Sequence, residues 1–594
     1  MTLATGAAAL PLLAACGAPS TPTASAPTAP AKGGADVPAK AAAPAQPPAA
    51  GAPTAAPAAA PTTAPTGAAA AAPAAQPTAA PAGAAAKPGG NILVMGRGSE
   101  IQPIWTPLRS AAGEVQVFDL IYNRLLAPNE KWELQPDLAE KFQISPDGKV
   151  YTFNLRKNVT WSDGKPFSAR DVIFTYRLNL TKAAGSRQAA RLTQIKGGQD
   201  FFDGKSKEIP GLEMLDDYTV RITLDNPNVG WLYQATHSSP MLSILPEHVF
   251  KDLDPAQLES HPQVKKPDVG TGPYLFVQFV ADQHIEFKAN PNYFKGAPKI
   301  ERVFIRLAEP PTQLAQLERG ELDLMQKVTV KDAERLKGSQ SLTMASTPGI
   351  GVFQIAWFHD RPYFKDKRVR QAFMYGVDRE ALIKVVLRGE GRLVHSTVIG
   401  PDWANYPDLN PYKYDPAKAK ELLKAANWDS SRKVNLTWSK GFQDIELAAP
   451  IVQQQLKEVG FELELAPLDS PAYVKKVVSE PDFDLAWFSG GVYGLDPDIS
   501  SAYYESTNWT PRGANTTHYS NKELDDLFAQ GRATPDVAKR KEIYAKVAKI
   551  LNEDIPSIFW WSENIIWGVN KRVKNIKPGV NQYIWWNIQE WTLS

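Results

Sequence analysis

The stretch VYTFNLRKNVTWSDGKPFSARDVIFTYRLNL, residues 150–180, changes its hydrophobic period halfway along. Tyr151, Phe153 and Leu155 alternate with Thr152, Asn154 and Arg156, which is the two-residue period of a half-buried strand. Asp147-Gly148 before it and Asp163-Gly164 after it are turn signals. Ser168-Ala169-Arg170-Asp171 then has the form of a capping box, and Ile173, Tyr176 and Leu180 continue at helical spacing. A strand, a turn and a capped helix within 31 residues point to an α/β fold.

The same switch recurs further along the chain. DKRVRQAFMYGVDREALIKVV (366–386) reads as a helix carrying Val369, Ala372 and Phe373, followed by a restart capped by Asp378. DPAKAKELLKAANW (415–428) places Asp415 at an N-cap with Pro416 at the first helical position. IVQQQLKEVGFELELAPL (451–468) reads as a helix, a glycine stop at Gly460 and a strand with Phe461, Leu463 and Leu465 on one face. IFWWSENIIWGV (558–569) alternates like a buried strand, and YIWWNIQEWTLS (583–594) reads as a packed C-terminal tail. No internal repeat is detectable.

Towards the N-terminus the composition changes completely. Residues 17–90 are almost all Ala, Pro, Thr and Gly, which cannot bury enough surface to offset ordering entropy, so a disordered, partly extended tether is expected. Before it lies LPLLAACGAPSTPTA (10–24), which holds Cys16, the single cysteine of 594 residues. The short apolar run ahead of Cys16 is far below the roughly 20 residues that span a bilayer. It reads as the truncated-looking tail of an export signal, since no Lys or Arg precedes it. Leu13-Ala14-Ala15-Cys16 resembles the lipobox of bacterial lipoproteins. That resemblance implies a lipidated Cys16 and a cargo held at the outer face of the cell membrane.

Bulk composition narrows the function classes. Lys plus Arg (65) nearly cancels Asp plus Glu (63), so nothing favours nucleic acid as a partner. One cysteine excludes an intrachain disulfide, a thiolate-rich zinc site and an iron–sulfur cluster. The seven histidines are scattered, with no pair at the spacing of a helical metal site. G-x-S-x-G, H-E-x-x-H and P-loop patterns are absent, so no cofactor, metal or catalytic residue is assigned.

Seven segments together carry a family resemblance. PDLAEKFQISPDGKVYTFNLRKNVTWSDGKPFSARDVIFTY, VGTGPYLF, NPNYFKGAPKIERVFI, RGELDLM, RVRQAFMYGVDREALI, YDPAKAKELLKAANW and NKRVKNI occur in this order between about residues 88 and 594. The chain resembles the extracytoplasmic solute-binding proteins of ABC importers, in the peptide, dipeptide and nickel class (family 5). The resemblance implies a two-lobed, type II periplasmic-binding-protein clamshell with an extra subdomain inserted in lobe I. Mapped onto this chain, lobe I takes 91–127, 239–309 and 553–594, the insert 128–238 and lobe II 310–552. Glu309-Pro310 and Asp554–Pro556 would then lie near the hinge.

The family's dipeptide binders hold the ligand ammonium with an aspartate in a WTGD-like stretch and its carboxylate with an arginine on a lobe II helix. Here the first stretch matches WFSGGVYGLDPD (487–498), where the acid nearest the glycines is Asp496. The second maps to DIELAAPIVQQQL (444–456), which has no Arg. A free-dipeptide specialist is therefore not expected. The resemblance implies substrate contacts at Trp487, Ser489, Gly490, Tyr493 and Asp496, at Trp357 and Phe358, at Glu114, and at Arg512 by the cleft entrance. The expected function is capture of an oligopeptide by lobe closure and its delivery by a monomer to ABC permease subunits. An oligosaccharide ligand held on aromatic faces is the alternative, and a lipid-anchored hydrolase on the same scaffold is a remote one.

Overall fold

The structure, a computed structural model, describes residues 90–98, 106–108, 115–131, 133–236, 242–349, 351–396, 406, 408–491, 496–580 and 584–594. Cys16, nearly all of the expected tether, Glu114 and Tyr493 lie outside the described residues.

Two mixed sheets organise the fold. The larger runs Leu342–Pro348, Trp561–Asn570, Leu324–Gln326, Ile92–Arg97, Arg302–Leu307, His284–Ala289, Tyr274–Val280, with Gly391–Leu393 paired to the edge of Trp561–Asn570. The smaller runs Glu462–Leu468, Lys433–Ser439, Leu485–Gly491, Gly351–Trp357, Ser557–Phe559. In the smaller sheet the first three strands are parallel, whereas Gly351–Trp357 is antiparallel to both of its neighbours. The type II, two-lobed α/β architecture implied by the family resemblance is thus present.

The inserted subdomain is built on a third sheet of four antiparallel strands, ordered Ala139–Ile144, Val150–Leu155, Thr219–Thr223, Leu212–Asp216. Tyr151, Phe153 and Leu155 are buried, as the alternation at 150–155 requires. Ser168 caps the helix Ala169–Leu180, and the Asp171 carboxylate accepts the Ser168 amide at 2.9 Å, closing the capping box. Insert and lobe I share one continuous core, in which Leu93, Phe118 and Trp567 of lobe I join Tyr151, Trp161 and Trp231 of the insert. The insert therefore moves with lobe I.

The domain boundaries need correction. Leu324–Gln326 and Leu342–Pro348 belong to the larger sheet, so 310–348 is part of lobe I and not of lobe II. Ser557–Phe559 belongs to the smaller sheet, so lobe II extends past residue 552. Glu309 is not at a hinge; it is the N-cap of Pro310–Glu318, a helix laid on the lobe I sheet. Among the described residues, two strands of the larger sheet lie next in the chain to strands of the smaller one, Leu342–Pro348 before Gly351–Trp357 and Trp561–Asn570 after Ser557–Phe559. These crossing segments stay together, because Pro348 pairs with Asn564 and the Gly349 amide donates to the Glu563 carbonyl at 3.0 Å.

Candidate functional site

Parallel strands Lys433–Ser439, Glu462–Leu468 and Leu485–Gly491 end at a common edge of the lobe II sheet. In open α/β sheets the crevice outside the carboxyl ends of the strands is the usual ligand site. Ser489, Gly490 and Gly491 lie at this edge, paired with Phe353, Val352 and Gly351 on the first crossing segment. Two of the three are glycines, which have no side chain to stand between the backbone and a ligand.

The helix Gln443–Glu458 starts from the same edge. Its N-cap is Phe442, which provides no side-chain cap, and Asp444 and Glu446 stand in its first turn. Acids there complement the partial positive charge of a helix N-terminus. The Asp444 carboxyl hydrogen-bonds the carboxyl of Glu563, which comes from the second crossing segment. Burial, and then the Asp444 charge, push the Glu563 carboxyl up to about 8; burial also raises Asp444. The pair accordingly shares a proton at neutral pH. Trp561 Nε1 donates weakly to Glu563 Oε1 at 3.4 Å, and Lys327 of lobe I contributes a nearby positive charge. Lobe I, hinge and lobe II thus each supply a charged group at one place. Such a carboxyl pair can exchange its shared proton for the ammonium or guanidinium of a ligand.

The aromatic residues expected to contact substrate are elsewhere. Trp357 is fully buried, with Phe364, Phe373 and Phe461 edge-on around its ring at 4.8–6.3 Å. Phe358 is buried on the opposite side of the sheet, stacked on Phe483 at 4.7 Å and tilted against His518 at 4.9 Å. Trp487 is 1% exposed, stacked on Trp560 at 5.3 Å and edge-on to Trp561 at 6.0 Å. All three are core side chains, because both faces of this central sheet are covered. Asp496 is also not a free anchor: both of its oxygens are taken by Arg540, at 2.5 and 2.6 Å. Arg512 is exposed in the turn after the cis Thr510–Pro511 bond. Sequence reasoning missed Asp444 and Glu563; the signal available was an acid in the first turn of the helix where the family places its arginine.

A separate cavity of about 190 Å³ in lobe I is lined by Asp119, Asn123, Arg124, Asp137, Lys295 and Trp585, among others. Its charges satisfy one another, Arg124 with Asp119 and Lys295 with Asp137, both at 2.5 Å. It therefore reads as part of the lobe I framework. Among the described residues no three His, Cys, Asp or Glu side chains converge as metal ligands, and no helix is long and apolar enough to cross a membrane.

The dipeptide-binding protein of Escherichia coli is 29% identical over 474 residues, covering 76% of this chain and 86% of that one. The oligopeptide-binding protein AppA of Bacillus subtilis is 26% identical over 531 residues, covering 86% and 93%. The solved structure of Bacillus subtilis AppA in complex with a nonapeptide has the same fold, with a TM-score of 0.68 at 24% identity over 85% of this chain and 99% of that chain. Residues 133–511 match the family described as bacterial extracellular solute-binding proteins, family 5, middle region, and the chain belongs to that family.

Proposed function

We propose that the protein is the extracytoplasmic capture component of an ABC importer, taking an oligopeptide between its lobes and passing it to the permease. The observation that carries this reading is the strand-end edge at 489–491. It offers main-chain groups to an extended ligand, and the helix that carries Asp444, one half of the carboxyl pair, follows the strand that ends at this edge. The relatives named for dipeptides and oligopeptides, and the nonapeptide complex on the same fold, support it. Asp444 and Glu563 receive a cationic group of the ligand, and the backbone of Ser489 and Gly490 pairs with its main chain. Without the family's aspartate and arginine clamps, ligand length is not fixed at both ends. The family consists of substrate-binding proteins, which supports capture without turnover for this chain. Cys16 carries the lipid that holds a monomer at the outer face of the cell membrane.

The oligosaccharide alternative relied on open aromatic faces in the cleft, and Trp357, Phe358 and Trp487 supply none. Native mass spectrometry of the full chain, purified without refolding, tests the reading. Retained ligand is expected as a ladder of amino-acid mass differences. Hexose or pentose increments would overturn the peptide assignment.

A further inference from the structure

Away from the crossing segments, insert and lobe II meet at a second place. The loop 226–230 of the insert reaches the start of the helix region 496–540 in lobe II. The Val229 amide donates to the Arg532 carbonyl at 2.9 Å. Gly230 lies directly against the Asp496 carboxylate: a Cβ at 230 would stand 3.1 Å from Oδ1 and 3.4 Å from Cγ. Gly148, on the neighbouring turn of the insert, faces Pro535 at ordinary contact distance.

Each side of this joint is held by its own half. In lobe II, Arg540 grips Asp496 through both terminal nitrogens and donates from Nε to the Gly531 carbonyl at 3.0 Å. The Asp498 amide adds a third bond to Asp496 at 2.9 Å, and Arg532 is fixed by Glu505 at 2.7 and 3.2 Å. In the insert, Tyr151 donates its hydroxyl to the Asn228 carbonyl at 2.5 Å. Asn228 accepts the Trp231 amide at 3.1 Å and donates to Gln194 at 2.8 Å, while the Trp231 ring leans on Tyr151 at 5.0 Å. The Val229 hydrogen bond, the Gly230 approach to Asp496 and the Gly148–Pro535 packing cross the joint, and the Asp496 and Arg540 charges reach Tyr151 and Tyr233 across it. Parting it leaves the Arg540–Asp496 and Arg532–Glu505 pairs intact within lobe II.

We propose that this joint is a latch: the 226–230 loop seats on the Asp496–Arg540 pair when the lobes close and lifts off when they open. Glycine at 230 suits this seat because a Cβ there would press on the carboxylate, and a branched side chain would hold the loop off it. The latch sets the open–closed balance of the unliganded protein, on which capture depends. The inference rests on the lobe-closure reading and not on what the ligand is.

Hydrogen–deuterium exchange of the dialysed, ligand-free full chain, resolved to single amides by mass spectrometry, tests it. The Val229 bond crosses the joint, whereas the Trp231 amide bonds within the insert. Val229 is expected to exchange at least tenfold faster than Trp231. Equal protection of the two would make the joint a permanent weld and overturn the proposal. Gly230→Val is expected to enlarge the radius of gyration in small-angle scattering and to abolish Val229 protection, with the thermal midpoint kept. An unchanged radius and unchanged protection would likewise refute the latch. If that variant does not fold, the wild-type exchange comparison decides alone. A sugar ladder in the native mass spectra would sink the peptide reading without touching this result.

Discussion

Trp487→Ala separates a core role from a ligand role. The indole is 1% exposed and lies in a stack with Trp560 and Trp561, so its removal opens a cavity in the lobe II core. Truncating a buried Trp costs about 3–5 kcal/mol. Part of this is returned, because Trp487 Nε1 has no hydrogen-bond partner and a buried orphan donor is itself worth about 1–3 kcal/mol of destabilisation. The net expected loss is about 2 kcal/mol. For a cooperative unit the size of lobe II, at roughly 2–4 °C per kcal/mol, this lowers the thermal midpoint by roughly 4–8 °C. Trp487→Phe keeps most of the stack and drops the orphan N–H, so it should lose less than half as much. Differential scanning calorimetry would measure both. Isothermal titration below the lowered midpoint, with the peptide fraction eluted from wild-type protein, would show affinity within about threefold of wild type. A midpoint shift below 2 °C combined with lost binding would refute the packing argument and put the ring in the cleft.

Glu563→Gln tests the shared proton. The Glu563 carboxyl is raised from 4.5 to about 8, so the folded state binds this proton more tightly than the unfolded chain. Its stabilisation is fully present below pH 4.5 and is lost as pH rises through about 8, where the Asp444 and Glu563 charges repel. The glutamine variant should flatten that decline in a pH series of thermal midpoints; an unaltered slope between pH 5 and 9 would show that the pair does not share a proton. Arg572→Ala should destabilise lobe I by about 3–5 kcal/mol in urea unfolding, the usual consequence of leaving a buried charge without its partner. Asp323 is fully buried and would keep only backbone donors, Val94 among them at 2.9 Å, after losing Arg572 bonds of 2.5 and 2.8 Å. A loss below 1 kcal/mol would refute the role of Arg572 as the partner that offsets the burial of Asp323.

Local structure was legible wherever the chemistry is short-ranged. The Ser168 capping box, the Asp378 and Asp415 caps and the Gly460 stop all stand where side-chain type and spacing put them. The tryptophan-rich run 558–569 is largely buried and extended as expected, but it belongs to two strands in different sheets and not to one. What could not be read is which strands neighbour which, since a two-residue period says nothing of the partner. The lobe boundary was therefore set too early, at 310 instead of beside the crossing near 350. Trp357 and Phe358 illustrate the same limit. Adjacent residues on a strand face opposite ways, and one of them reaches a cleft only if that side is bare. Here Phe373 and Phe461 cover one side and Phe483 the other. Asp444 and Glu563 meet only because the second crossing segment returns past the start of a helix more than a hundred residues earlier.

That return has a consequence for how the protein is made. Strand Trp561–Asn570 lies between Leu342–Pro348 and Leu324–Gln326, and both of those neighbours are synthesised more than 200 residues before it. Until this strand arrives, each of them presents an unpaired edge, and the lobe I sheet has a gap one strand in from its edge. The sheet cannot close on the nascent chain, and long-range pairing of this kind is slow even afterwards. Lobe II, by contrast, needs only residues up to about 560. A polypeptide that withholds this strand until near its end completes lobe I last, after the insert sheet and the lobe II sheet already have all their strands.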